Sequence, residues 1–425
     1  MVVQRPALEH RAPAPAQRRG DDGGVARSED RDDAGPDQEL TPKEKEEGRV
    51  TLDPELLRIL VCPNDRGEVD YHEDEEVLVC RTCGYRYPVR DDIPVMLIDE
   101  AEKPAARKRA ASGLPDLAGL TSVVCCGMGG SAVAGDVLKQ AFRERLGIPV
   151  DVNRSPVLPA FAGPSTLVVV SSYSGNTAET LAAFHEAAAR GCRILTITGG
   201  GALSEECAAR GWAAVHVPGG FQPRAAVGHL TFAMLGALES AGLLPSLAEA
   251  VDEVVAELER AAADLAPGTP SERNPAKVLA TTIGDRIPVI WGIEGVASVA
   301  AMRWKTQMNE NGKVPAFASA MSELDHNEVV GWTRPYGERC AVIGLRHGAE
   351  PEELSARFPL SADIARDAGA TYDEVRVGTR SALATLFGLV VVGDLVSCYV
   401  ALRRGGDPTP VAVIDRLKAA LARAT

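Results

Sequence analysis

"VVCCGMGGSAVAGD", residues 123–136, sets a short apolar run against a glycine-rich turn and then an Ala/Val-rich stretch. The run reads as a buried strand and the stretch after Ser131 as a helix. Glycines at such a turn let the backbone approach a ligand, and free amides at a helix start favour an anion. The turn also satisfies G-x-G-x-x-A through Gly127, Gly129 and Ala132, the dinucleotide fingerprint. A second unit of the same kind decides between the two. "VVVSSYSGNTAETL", residues 168–181, again ends a buried strand and opens a helix, now with Ser172, Ser174 and Thr177. Helix capping explains one hydroxyl, not three. A site for one phosphomonoester explains both loops, whereas a dinucleotide does not require a Ser/Thr-rich loop at this strand.

Outward from these loops, apolar β-rich runs recur at 121–126, 149–153, 166–172, 193–198 and 213–217, with Ala-rich helical stretches between several of them. Such alternation predicts a doubly wound parallel sheet. A helical region follows over about 225–265, then a Pro-containing break at 267–275. The pattern resumes with "IPVIWG", "CAVIGL" and "YDEVRV", and ends in a long helix at 381–403 and a terminal helix from about 409. Two α/β lobes result, residues 105–265 and 275–425.

At 425 residues, more than one core is expected. Aromatic residues make up 4%, so Ala, Val, Leu and Gly do most of the packing, which suits helices laid closely on a parallel sheet. The formal net charge of -14 argues against nucleic acid as the main partner, because phosphate backbones reward Lys and Arg. Nine cysteines without a signal peptide ahead of them point to a reducing compartment, and cytoplasmic is the simplest reading. Cys125, Cys126 and Cys398 lie in apolar runs and read as small buried hydrophobes. No apolar run is expected to reach the ~20 residues that span a bilayer.

Residues 1–48 mix Arg, Asp, Glu, Pro, Gly and Ala with hardly any large apolar side chain, the composition of a disordered tail. Residues 51–98 form a compact unit with a short capped helix and two elbows, which suggests a zinc ribbon. Only one C-x-x-C hook is whole, Cys80 with Cys83. The other pair is Cys62 with Asp65, so a metal there would need a mixed shell of three sulfurs and one oxygen, where structural zinc favours thiolate and imidazole. No metal and no cofactor are therefore assigned to the chain. "LLRILVCPNDRGEV" and "YRYPVRDDIPVML" resemble the small ribbon-like family related to activator subunits of tRNA and protein methyltransferases. The resemblance leaves the partner of this domain unknown.

The densest chemistry lies in "NENGKVPAFASAMSELDHNE", residues 309–328. Its apolar centre is fit for burial, which draws the flanking Glu310 and His326 into a partly desolvated place. Glu323 and Glu328 read as hydrogen-bond supports or loop charges, and Asp136 as a brace for the first loop.

"GMGGSAVAGD" and "SYSGNTAET" look like the phosphate-loop signatures of the sugar isomerase (SIS) domain. "QPRAAVGHL", "NENGKVPAF" and "ELDHNEVVGW" resemble the bifunctional phosphoglucose/phosphomannose isomerase family, in the expected order through most of residues 115–425. The resemblance implies two SIS-type lobes and an aldose–ketose isomerase acting on glucose 6-phosphate or mannose 6-phosphate. It implies Glu310 as base, His326 as assistant to ring opening, Arg224 as stabiliser of the enediolate and Lys418 near the ring oxygen. Gly130, Ser131, Ser172, Ser174 and Thr177 would hold the phosphate. It further implies a homodimer whose shared site takes His326 from the partner chain. Where some members carry a threonine seven residues before the terminal lysine, this sequence has Val411, which puts the balance between the two sugars in doubt. Three rival readings stand beside this one: a non-catalytic sugar-phosphate sensor, a dinucleotide enzyme and a methyltransferase-associated scaffold.

Overall fold

A computed structural model of the protein describes residues 52–63, 67–81, 84–90, 93–98, 100–102 and 114–424. The tail at 1–48 lies outside the described residues, as do Asp65 and Cys83. Two compact units divide the chain near residue 105.

In the smaller unit, α1 (Pro54–Ile59) precedes β1 (Val69–His72), β2 (Val77–Cys80), β3 (Arg86–Arg90) and β4 (Ile93–Pro94). These strands pair antiparallel in the order β1-β2-β3-β4. Alternation in β2 and β3 turns Leu78, Cys80, Tyr87 and Val89 inward, where Leu52 and Cys62 join them. The Cys62 thiol lies 3.1 Å from the buried Tyr87 hydroxyl.

The larger unit begins with β5 (Ser122–Cys126), α2 (Gly130–Ala141), β6 (Val150–Asn153), β7 (Thr166–Ser172) and α3 (Ala178–Ala189). It continues with β8 (Arg193–Thr198), α4 (Gly201–Arg210) and β9 (Ala214–His216). All pairings are parallel, in the order β6-β5-β7-β8-β9. The order reverses between β5 and β7, and the two glycine-rich loops leave the carboxyl ends of those two strands, the place where open α/β sheets bind ligands. Every residue of β5 and β7 is buried, which explains their unbroken apolar runs.

Two helices, α5 (Val227–Ser240) and α6 (Ala248–Leu265), then lead to α7 (Pro275–Ile283). The second sheet contains β10 (Ile287–Ile293), β11 (Phe317–Met321), β12 (Cys340–His347) and β13 (Thr371–Val377), parallel in the order β11-β10-β12-β13. Between them run α8 (Val296–Glu310), α9 (Glu328–Gly331), α10 (Glu352–Ser355) and α11 (Arg357–Asp367), and α12 (Ala382–Arg403) and α13 (Ala412–Ala424) close the chain. The strand β11 is an addition to the sequence reading. "FASAM" carries little β propensity, and it is the edge of β10 that makes it a strand.

Each sheet has an apolar cluster of its own on one face, around Val168 and Phe184 in the first and Trp291 and Phe358 in the second, and the two share a third. The shared cluster runs from Val123 and Leu167 through Leu230, Leu238 and Trp304 to Val375 and Val396. At its centre α12 packs on α6, α7 and α8. Trp304, wholly buried, gives its indole N–H to the Leu389 carbonyl at 2.8 Å. Gly393 is the notch that admits this ring, since a Cβ there would lie 2.3 Å from Trp304 Nε1.

One expectation needs correcting. Over its 22 residues α12 is long and apolar enough to cross a bilayer, with a mean hydropathy of 2.0 in its most apolar window. That window is 72% buried inside the protein, so α12 is apolar because it is a core helix.

Candidate active site

The first loop owes its shape to Gly129, whose φ of +53° lies in the left-handed region, and it feeds directly into α2. Ser131 is buried, and its Oγ accepts the Tyr173 N–H of the second loop at 3.4 Å. In that second loop Ser172 Oγ lies 3.2 Å from Thr177 Oγ1 and accepts the Gly175 N–H at 3.1 Å. Ser174 Oγ accepts the Asn176 N–H at 3.3 Å. Thr177 occupies the N-cap of α3 without using its side chain as a cap, and its hydroxyl is turned to Ser172 instead. The amides of Met128, Gly129, Ser174 and Thr177 donate to no protein acceptor among the described residues. The five expected phosphate ligands thus lie on two loops joined at Ser131 and Tyr173.

The first loop also abuts a second group of expected residues. A Cβ on Gly130 would come 3.3 Å from the Pro223 carbonyl and 3.8 Å from Arg224 Cα. Arg224 sits in a short turn, Pro223–Ala226, just before α5, and is 8% exposed. Its Nε donates to Asn311 Oδ1 at 2.6 Å, and its Nη2 donates to the carbonyls of Pro408 at 3.0 Å and Thr409 at 2.6 Å. Nη1 has only the Gln222 Oε1 at 3.4 Å and the Glu310 Oε2 at 3.8 Å. The least committed edge of the guanidinium therefore faces Glu310, whose side chain is 31% exposed.

Glu310 is the last residue of α8, and the turn that follows is held on all sides. Asn309 Nδ2 donates to the Val314 carbonyl at 2.8 Å. Lys313, at φ +56°, reaches back with Nζ to the Glu310 carbonyl at 2.5 Å and across to the Pro408 carbonyl at 3.2 Å. Desolvation, with the neighbouring Arg224 charge adding to it, lowers the Lys313 pKa. The segment Pro408–Pro410 is thereby strapped to the site by two cations.

His326 and Lys418 stand apart from this cluster. His326 ends the turn Glu323–His326 and is exposed, and Lys418 is exposed on α13. Neither makes a hydrogen bond or ion pair with Glu310 or Arg224 among the described residues. The loop that bears His326 is nevertheless firm. Asp325 accepts from Arg357 at 3.1 Å and Ser361 at 2.7 Å, Glu323 from Asn327 at 2.8 Å, and Glu328 from Trp291 at 2.8 Å. Glu323 and Glu328 are hydrogen-bond supports, as read from sequence, whereas Asp136 lies within α2 and pairs with Arg154 beyond β6 rather than with the first loop. Burial raises the Asp136 pKa, and Arg154 opposes that shift. Of the thiols, Cys126 is pushed up to about 12 by burial, an inert buried group.

Sequence reasoning missed the roles of Asn311, Lys313, Tyr173 and the 408–410 carbonyls. Tyr173 was visible inside the second loop, and the Pro-Thr-Pro run at 408–410 signals an extended segment with unpaired carbonyls.

No metal site can be composed from the described residues, since none groups three or more His, Cys, Asp or Glu. Cys62 and Cys80 are buried in the smaller unit, and the other two positions of the expected shell fall outside the description.

Residues 117–210 match the SIS domain family, and residues 272–421 match the bacterial phospho-glucose isomerase C-terminal SIS domain. Over 309 residues the chain is 38% identical to the bifunctional phosphoglucose/phosphomannose isomerase of Caldicellulosiruptor bescii, covering 71% of this chain and 90% of that one. The chain belongs to the bifunctional phosphoglucose/phosphomannose isomerase family. The Aquifex aeolicus member is 34% identical over 305 residues, with 71% and 91% covered. A crystal structure of a hypothetical protein from Thermus thermophilus shares the fold at a TM-score of 0.59 and 17% identity, covering 72% of this chain and 83% of that one. Residues 53–92 match the Trm112p-like protein family, so the smaller unit is an addition to the isomerase body.

Proposed function

We propose that the chain interconverts glucose 6-phosphate and mannose 6-phosphate with fructose 6-phosphate, without a metal, at a site centred on Glu310 and Arg224. The observation that carries this reading is the pairing of the two residues on a wall that adjoins the Gly130 loop. Gly130, Ser131, Ser172, Ser174 and Thr177 hold the phosphate through helix-start amides and hydroxyls, which grip an anion without needing a cation of their own.

In the open-chain aldose, Glu310 takes the proton from C2. The C–H electron pair becomes the C1=C2 bond of an enediolate, and the carbonyl pair moves onto O1. Return of the proton to C1, with the O2 proton passing to O1, gives the ketose. Arg224 faces the charge that develops on the oxygens, and this preorganised cation takes the place of a metal.

His326 assists ring opening and comes from a second copy of the chain, and Lys418 acts near the ring oxygen. The outward-facing His326 supports delivery to a neighbour. So does α13, on which Val413 is 68% and Leu417 59% exposed, apolar residues one turn apart on one face.

The test is turnover by chelator-treated protein on each aldose phosphate, read as fructose 6-phosphate formed. Conversion that survives chelation supports the reading. Binding of both sugars with no product would replace it with a sugar-phosphate sensor.

A further inference from the structure

Arg224 must do two things that conflict. It has to present a positive charge to an enediolate, yet it sits beside a carboxylate that must stay free to carry a proton. An arginine and a carboxylate left to themselves form a bidentate pair, fork to fork, which would occupy both groups. At 3.8 Å the Nη1–Glu310 separation is too long for a hydrogen bond. Something holds the guanidinium back.

The restraint is a closed polar circuit. Arg224 Nε donates to Asn311 Oδ1 at 2.6 Å, and Asn311 Nδ2 donates to Ser397 Oγ at 3.0 Å. Ser397 Oγ in turn donates to the Asp394 carbonyl at 2.6 Å. The Asp394 carboxylate receives Arg303 Nε at 3.1 Å and Nη2 at 2.9 Å, and Arg303 Nη2 also donates to the backbone carbonyl of Arg224 at 2.7 Å. Asn311, Ser397, Arg303 and Arg224 are all buried. A guanidinium has donors only, so the amide oxygen of Asn311 must face it and the amide nitrogen must face Ser397. Each member thus fixes the orientation of the next.

We infer that Asn311 is the positioning residue of this site: by capturing Arg224 Nε it turns Nη1 towards substrate and keeps the guanidinium from closing on Glu310, with Ser397 setting the amide. The inference rests on the reading of Arg224 and Glu310 given above. Without the Asn311 oxygen, Nε has no acceptor and only the Pro408 and Thr409 carbonyls still hold Nη2, so rotation about the last side-chain bonds brings Nη1 onto Glu310. The base and the electrostatic stabiliser would then silence each other while substrate still binds through its phosphate.

A double-mutant cycle tests this. Asn311→Ala, Arg224→Lys and the double variant are assayed for kcat and KM, with thermal melting to confirm folding. Arg224→Lys lowers kcat about 100-fold. Asn311→Ala lowers kcat roughly 10- to 100-fold, with KM within about threefold. In the Arg224→Lys background, Asn311→Ala costs less than about twofold further, because the fork it restrains is gone. Ser397→Ala gives a smaller loss with the same dependence on Arg224, and carries the test should Asn311→Ala not fold. Losses that multiply fully in the double variant, or a parental kcat in Asn311→Ala, would overturn the inference while leaving the site reading intact. A parental kcat in Arg224→Lys would overturn both.

Discussion

Trp291, wholly buried in β10, hands its indole N–H to Glu328 Oε1 at 2.8 Å. The other oxygen of Glu328 accepts the Ser319 hydroxyl of β11. One carboxylate thus ties two adjacent strands to the turn that presents His326. Glu328→Ala leaves a buried indole N–H unpaired, which costs about 1–3 kcal/mol. The expected result is a lower melting temperature and a loss of turnover although Glu310 and Arg224 are untouched. Unchanged turnover at unchanged KM would show that His326 does not depend on this tie.

A pH dependence follows from Glu253, which accepts the N–H groups of Arg380 at 2.7 Å and Ser381 at 2.8 Å, at the start of α12. The Arg380 amide is the largest cause of its lowered pKa; desolvation opposes the shift and Ser381 adds to it. A folded value below the unfolded one means that the stabilisation is fully present above the ordinary carboxylate range and is lost as pH falls through the folded value. Glu253→Gln is therefore expected to destabilise by roughly 1–2 kcal/mol at pH 7. Urea melts across a pH series should show the two proteins converging towards acid. A gap that stays constant down to low pH would refute this assignment.

Val411 adjoins the strap at Pro408–Pro410 and precedes α13. It has the volume of a threonine and no hydroxyl. Val411→Thr is expected to change the ratio of kcat/KM between glucose 6-phosphate and mannose 6-phosphate by about 3- to 10-fold, the order set by one hydrogen bond. A ratio identical to that of the parent would remove this position from epimer choice.

The Trp304–Gly393 contact allows no added atom. Gly393→Ala places a methyl 2.3 Å from the indole nitrogen, so α8 and α12 must separate. Overpacking of this kind costs about 1–3 kcal/mol, visible as a lower melting temperature. A variant as stable as the parent would mean that the two helices separate at no cost.

The sheets and the two glycine-rich loops were legible because strand, glycine turn and helix are neighbours in sequence, so Gly129 and Thr177 declare their positions locally. Arg224 and Asn311, 87 residues apart, meet only after α5 and α8 have docked. Their motifs could be recognised from sequence, but not the circuit that joins them. The strand at Phe317–Met321 escaped for a related reason, since Ala-Ser-Ala acquires its structure from β10. The buried helix α12 shows the converse. Its composition alone fits a bilayer, and only its packing against α6, α7 and α8 shows what the apolar surface is for.

The account stands on Glu310 as the group that moves the proton. The most direct measurement is turnover of fructose 6-phosphate by Glu310→Gln, which keeps the shape of the side chain and removes its capacity to accept a proton, alongside a binding titration with the same sugar. The account predicts binding within about threefold of the parent and turnover reduced by about 1,000-fold or more. Turnover within about tenfold of the parent, in a variant that binds and melts normally, would contradict it.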